Sequence, residues 1–329
     1  MSEKKSFAQQ FIPQKTDSAA EIVRKTAVLI IVPALLIVAA VVAFQALNEY
    51  RAAQLDKELA EKYESAVITT TAAPETETLP PETESETTTT APPPLVPLAQ
   101  FDEFLAQNPD TAGWITVPGT NINNVVVQAA DNDYYLDRDF NGNKSQPGTI
   151  YADFRGIFND YNQCDNIVLY GHNQANGAMF GTLKKYKITK QNTSNFSFYK
   201  EHPTFKFSTL YEEYEYKIIA MFVTEVNPEQ TRDGQIFDYH NYIYFDDNVW
   251  KYDTFIENVM ARTAVDTGVD VNEDDKFVTL STCSNEFEPS RFVVIGRRVR
   301  DGEDPSVDTS AAVLNEDAIE PDWSYIYSR

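Results

Sequence analysis

Three residues in the second half of the chain are of types and in positions suited to acyl transfer. Cys283 closes the β-rich run TLSTC and stands immediately before the turn-like SNEFEPS, where a strand end can expose a side chain. An isolated cysteine is commonly a small buried hydrophobe, so its company decides. His172 follows the apolar run NIVLYG and opens the polar HNQANG, again where a strand gives way to a loop. A lone histidine is usually structural or solvated. Sulfur catalysis, however, needs the thiolate, and an imidazolium close by favours it and can later protonate an amine leaving group. Arg291 opens the strand after Cys283, so a turn can return its guanidinium to the sulfur. Acyl transfer builds negative charge on a carbonyl oxygen, which a permanently charged, fork-shaped donor is suited to hold. Taken singly, Arg291 is a surface residue with Glu286 and Glu288 as casual partners. Sequence separation permits the three to meet and does not show it.

The other sulfur and imidazole groups read as bland. Cys164 is a small residue leading into the strand before His172, and a bridge to Cys283 would block the nucleophile, so both thiols are expected free. His202 in EHPTF and His240 in DYHNY lie in polar loop contexts and read as solvated or structural. Neither has carboxylate partners at a recognisable metal-loop spacing, so no metal and no cofactor is expected. Two cysteines are too few for a disulfide-stapled scaffold and lack the paired spacing of a zinc site. With 50 acidic against 27 basic residues, the net charge of -23 argues against a nucleic-acid partner.

Stepping outward from the site, 329 residues at 42% hydrophobic are ample for a core. Residues 1–25 read as a cytoplasmic amino terminus. The charge-free stretch 26–44 is long enough to cross roughly 30 Å of hydrocarbon, giving a signal-anchor over 26–47. A cleaved signal peptide competes, but the run exceeds the usual apolar region and no A-x-A site follows. Arg24 and Lys25 abut the span, which by the positive-inside rule places the rest of the chain outside the cell membrane. Residues 48–68 read as a charged juxtamembrane helix, and 69–97, rich in Thr, Pro and Glu, as an extended spacer holding the next domain away from the bilayer. Residues 98–300 form the folded domain. It opens on an amphipathic helix and continues in strands at 114–117, 124–128, 148–152, 166–171, 204–209, 215–226, 276–282 and 291–299, with a helix at 250–265. Many short strands between Asn, Asp, Gly and Pro clusters predict an antiparallel barrel or sandwich. The acidic 301–329 reads as a disordered tail with an aromatic cluster, Trp323, Tyr325 and Tyr327, of no assigned place.

TLSTC at 279–283 followed by Arg291 resembles the TLxTC…R signature of the sortases. NIVLYGHNQANGAMFGTLKKY at 166–186 resembles the histidine-bearing segment of the class B branch, and NPDTAGWITVPGTNINNVVVQ at 108–128 is similar to that branch's opening strands. The resemblance covers residues 98–300 and implies a mainly β fold: an eight-stranded closed β-barrel with an N-terminal helix and a helix inserted before the cysteine strand. It implies Cys283 as nucleophile, His172 as general acid/base and Arg291 as oxyanion stabiliser, with Tyr170, Ser281 and Asn123 along the substrate groove. The implied reaction is attack on a Thr–Gly or similar bond of a sorting motif in a surface protein. The thioester is then resolved by an amine of peptidoglycan or of a pilin subunit. Ser284 departs from the pattern, since class B members often carry an acidic residue there, which puts any role of that carboxylate in doubt. LPPET at 79–83 superficially resembles an LPxTG motif but lacks the Thr at its fourth position and the Gly at its fifth, so it reads as chance. A stalked, non-catalytic binding domain on the same barrel is the alternative, and the presence of all three residues counts against it. A papain-like hydrolase expects its Cys ahead of its His, at the start of a helix.

Overall fold

A computed structural model of the chain describes residues 10–71, 94–245 and 251–328. Helix α1 (Ala19–Thr71) contains the apolar stretch and Pro33, and among the described residues it is the one helix long and apolar enough to cross a membrane. The chain divides into two compact units, Met1–Ala52 and Ala53–Arg329.

The second unit is built on a barrel. After a 3-10 turn (Ala99–Phe101) and α2 (Asp102–Gln107) come β1 (Thr111–Thr116), β2 (Asn123–Val127), β3 (Tyr151–Ala152) and β4 (Asn166–Tyr170). Then follow α3 (Phe196–Glu201), β5 (Thr204–Thr209), β6 (Glu213–Glu225), α4 (Tyr252–Arg262), β7 (Val265–Asp266), β8 (Phe277–Cys283) and β9 (Ser290–Arg298). Strands β1, β2, β3, β4, β8, β9, β6 and β5 close in that order into the eight-stranded barrel that the resemblance implied, but β2–β3 and β4–β8 pair in parallel where the strand pattern predicted an antiparallel arrangement. Beyond it, β10 (Val313–Leu314) pairs with β7, and a last short helix, α5, covers Trp323–Ile326.

Period-2 alternation sorts the strand side chains between two faces. On β8 and β9, Val278, Leu280, Phe292 and Val294 join the main core with Val126, Leu169 and Phe207. The opposite parity, Phe277, Val293 and Ile295, lies under Phe237, Tyr239, Phe255 and Val259 from the connection between β6 and α4 and from α4 itself. That connection therefore roofs one outer wall of the barrel. The helix expected at 250–265 is observed as α4 over 252–262.

The stretch expected as a charged juxtamembrane helix lies within α1, and its part within the second unit contributes core side chains. Leu59 and Tyr63 are buried with Phe101, Phe104 and Trp114, and Tyr63 stacks on Trp114 at 4.2 Å. Burying two such side chains contributes about 1.5–3 kcal/mol each, while Lys57–Glu61 and Lys62–Glu58 pair on the exposed side. The expected spacer falls largely on 72–93, outside the described residues, and the helical residues 55–67 ahead of it pack within the second unit. The tail is not disordered. Ala312 and Ala318 are buried, and the segment runs along the barrel flank through hydrogen bonds from Asn315 N to Ala264 O (3.0 Å) and from Ile319 N to Ala261 O (2.7 Å). Its acidic residues misled the compositional reading because several of them are spent on fixed partners, such as Glu303 on Arg297 and Lys217.

Candidate active site

Strand pairing brings the three chemistry-bearing residues to one end of the barrel. Cys283, the last residue of β8, lies directly across from Arg291 on β9. Cross-strand partners present their side chains on one face with Cβ atoms about 4.5–5.5 Å apart, so the thiol and the guanidinium emerge together. Both are partly exposed. They have the parity of Val293, so they stand on the outer, roofed wall rather than inside the core.

His172 arrives from the other side of β8. Strands β4 and β8 are parallel, with Tyr170 opposite Ser281, and the ladder continues through Gly171 N to Ser281 O at 3.2 Å. Glycine is required there: a Cβ on residue 171 would lie 2.9 Å from the Phe180 ring. One residue past the histidine, the Asn173 side-chain amide donates to the Cys283 carbonyl at 2.8 Å and ties the histidine loop to the cysteine. The imidazole Nε2 lies 2.8 Å from the Leu136 carbonyl. A carbonyl only accepts, so Nε2 carries a hydrogen, and Nδ1 is the nitrogen left to exchange a proton.

Sequence reasoning missed what surrounds them. Tyr239, in a 3-10 turn (Tyr239–Asn241) of the roof, is hydrogen-bonded to the Ser281 hydroxyl at 2.7 Å. Burial raises the pKa of its phenol, partly offset by Ser281 and by the positive charge of Arg291, while Cys283 adds to the rise. Tyr151 on β3 is likewise raised, by burial first and then Asp133, and it too feels Arg291 and Cys283. Both phenols therefore lie within electrostatic reach of the thiol and the guanidinium.

Beneath them lies a buried charge. Asp153, 1% exposed, accepts from Arg155 Nε (2.8 Å) and Nη2 (2.7 Å), from the Tyr170 hydroxyl (2.9 Å) and from Asn132 Nδ2 (3.1 Å). Arg155 in turn donates to Asn241 Oδ1 and to the His240 carbonyl, both at 2.8 Å, and so anchors the turn that carries Tyr239. Burial alone would push the Asp153 carboxyl up, but hydrogen bonds from Arg155 and Tyr170 and the Arg155 charge outweigh it and leave the group below its ordinary value. The signal was present in DFR at 153–155, an acid and a base beside a strand, but nothing local marked them as buried.

The groove residues fare unequally. Tyr170 is at the site end of β4, yet its hydroxyl is committed to Asp153. Ser281 is 1% exposed and roofed by Tyr239, so its side chain does not line an open groove. Asn123 begins β2, whereas it is the last residue of that strand, Val127, that pairs with Tyr151. Its side chain is held by Trp114 Nε1 (2.7 Å), Thr116 Oγ1 (3.0 Å) and Glu64 (3.0 Å), away from Cys283. Ser284 is buried, hydrogen-bonded to Glu286, and Glu286 pairs with Lys187, so a carboxylate reaches this loop two positions later than in the compared pattern.

His202 packs on Phe198 with its ring standing over Gly119, where a Cβ would collide with the imidazole Nε2, a structural role. His240 is half-buried; burial lowers its basicity, and Arg155 and Arg291 lower it further against the pull of Asp238 and Asp153. Cys164 is free and buried at the opposite end of β4 from the site, and burial pushes its thiol up to about 12. Cys283 is free as well. Among the described residues no cluster of His, Cys, Asp and Glu has the arrangement of a metal site.

Residues 115–299 match the Sortase domain family. Sortase B of Listeria monocytogenes is 31% identical over 196 residues, spanning 58% of this chain and 71% of the relative. Sortase B of Staphylococcus aureus is 30% identical over 204 residues, spanning 61% of this chain and 75% of the relative. A crystal structure of sortase B from B. anthracis superposes with a TM-score of 0.57 at 28% identity, covering 77% of this chain and 99% of that one.

Proposed function

The chain belongs to the sortase family, in its class B branch, and from that premise we propose that it joins surface proteins to an amine through a thioester on Cys283. At the level of the family it is a cysteine transpeptidase of cell-wall sorting. The observation that carries the finer reading is the cross-strand pairing of Cys283 with Arg291, with the histidine loop fastened to the cysteine carbonyl through Asn173.

The Cys283 thiolate attacks the carbonyl carbon of the threonine in a sorting motif. The carbonyl oxygen takes up negative charge, which Arg291 holds. Collapse breaks the peptide C–N bond, and the departing amine takes a proton from His172, leaving a thioester. An amine of peptidoglycan or of a pilin subunit then attacks that thioester, His172 accepts its proton, and the thiolate is released. The residues 26–47 anchor the protein by one span, with the amino terminus cytoplasmic and the barrel outside the membrane.

The test uses the full chain in detergent with a pool of peptides varied around LPxTG, followed by intact-protein mass spectrometry. An adduct equal in mass to the amino-terminal part of one peptide, absent in Cys283→Ala, is the expected result. A folded protein that forms no adduct with any member would turn the reading toward a binding domain.

A further inference from the structure

Residues 301–328 lie beyond the matched Sortase segment, yet they return to the active site. Strand β9 starts beside Cys283 and carries the chain roughly 25 Å away from it over its nine residues. The segment then retraces that distance along the barrel. Arg297 fixes its start through Glu303, and the Thr309 hydroxyl donates to the Lys200 carbonyl at 3.2 Å. β10 adds to β7, Ile319 bonds to α4, and the Glu320 carboxylate accepts from Lys190 N at 2.5 Å.

Its last turn ends on two loops that flank the site. Trp323 packs edge-on against Phe287 with ring centroids 5.7 Å apart, and the Tyr327 hydroxyl donates to the Glu286 carbonyl at 2.8 Å. Phe287 and Glu286 belong to the short loop joining Cys283 to Arg291. On the other side, Asp322 accepts from Arg232 Nε at 2.6 Å, and the Arg232 guanidinium lies 5.0 Å from the centroid of the Tyr325 ring. Arg232 belongs to the roof connection, where Gln230 Nε2 also donates to the Pro289 carbonyl at 2.6 Å. One segment therefore bolts the β8–β9 loop to the roof.

We propose that residues 316–328 are a positioning strap: Trp323 and Tyr327 hold the β8–β9 loop so that Cys283 and Arg291 keep their register, and they set the rate of acyl transfer rather than the affinity for the peptide. The inference rests on the roles given above to Cys283 and Arg291. The physical reason is that a seven-residue connection with one buried ring has little core of its own. Arg291 is also paired with Thr224 of β6, so removing the outside support frays the β8–β9 ladder from the cysteine side, and small misplacements of reacting groups cost large factors in rate.

The test compares full-length wild type, Trp323→Ala, Trp323→Phe and Tyr327→Phe in detergent, using the peptide from the pool that acylates wild type. Trp323→Ala is expected to lower kcat at least about tenfold with KM within about twofold. Trp323→Phe restores most of the loss, and Tyr327→Phe lowers kcat several-fold. Amide hydrogen exchange accelerates over 284–290 and stays unchanged in β4 and β6. Unchanged kcat in both Trp323→Ala and Tyr327→Phe overturns the proposal, as does a rise in KM alone, which would make the strap part of peptide binding. Should Trp323→Ala unfold, Tyr327→Phe decides, since that side chain is 67% exposed and loses only a hydroxyl. A wild type that forms no adduct sinks the catalytic reading instead, and unaltered exchange over 284–290 in the variants would then still refute the strap.

Discussion

Asp153→Asn removes one charge and keeps the side chain's shape, which makes it a sharp probe of the network under the site. The carboxylate accepts on Oδ1 from Arg155 Nε and Arg155 N, and on Oδ2 from Arg155 Nη2, Tyr170 and Asn132. An amide has a single acceptor oxygen, so in either orientation its NH2 faces at least two donors. Each orphaned or opposed buried donor costs about 1–3 kcal/mol, and breaking a buried pair by removing one partner costs about 3–5 kcal/mol. Arg155 is 36% exposed, and solvent on its side holds the total near the lower end, about 3 kcal/mol. For a unit of this size that corresponds to a fall in Tm of roughly 6–12 °C. The assay is thermal unfolding of the full chain by near-ultraviolet circular dichroism. Because the folded carboxyl lies below its ordinary 3.8, its contribution is present above that pH and is lost as pH falls through the folded value. The gap between wild type and variant should therefore close in acid. Tyr170→Phe should cost about 1 kcal/mol in wild type and nearly nothing in the Asp153→Asn background, since the two share one bond. A variant melting within 2 °C of wild type at neutral pH (about 0.5–1 kcal/mol on the same scale) would refute the idea that this charge organises the site.

Other outcomes follow from single groups. The Asp56 carboxyl on α1 is raised to about 7 by burial and by Asp139, so the folded state favours its protonated form and stability is lost as pH rises from about 4 to about 7. Asp56→Asn should melt above wild type at pH 8 and level with it near pH 4; equal melting at both would mean that this partly exposed carboxyl is not held protonated. Iodoacetamide at pH 8 should label only Cys283 in native protein and both thiols after unfolding, because Cys164 is buried with its thiol at about 12. Native labelling of Cys164, read by peptide mapping, would count against its placement. Arg291→Lys should lower kcat about 100-fold or more with a smaller change in KM, since an ammonium lacks the planar fork; full activity in the lysine variant would remove Arg291 from the oxyanion role.

The barrel was legible because its signal is local. Alternation along 204–209 and 276–282, and the breakers between runs, mark the strands whether or not their partners are known. The strand ends also showed where Cys283 and His172 would sit. Other features rest on contacts between distant parts of the chain and leave little trace in any one window. Tyr63 finds its partner in Trp114, Asp153 is buried by Arg155 and Tyr170, and Trp323 meets Phe287. The tail's acidity read as disorder because composition counts charges without showing that Glu303 and Asp322 are already paired. Asn123 and Ser281 were assigned from the resemblance alone; the fold sets Ser281 on the wall of Cys283 but under Tyr239, and Asn123 at the start of β2, contacts that no motif position reports.

Parity explains why this barrel carries a long connection before its cysteine strand. A nucleophile with the parity of Val278 and Leu280 would point into the core, where no peptide can reach it. With the parity of Phe277 and Ser281 it emerges on an outer wall, which by itself would be open to water on every side. The connection from β6 to α4 covers that wall up to Ser281, where the Tyr239 hydroxyl closes over the strand, and leaves Cys283 and Arg291 just past its edge. Arg155, fixed by the buried Asp153, holds the roof through His240 and Asn241, and the strap holds its far side through Arg232. Each of these supports touches the roof at a different point, so loss of one should loosen the edge beside Cys283 without unfolding the wall, and the barrel can stay folded while its catalytic geometry degrades.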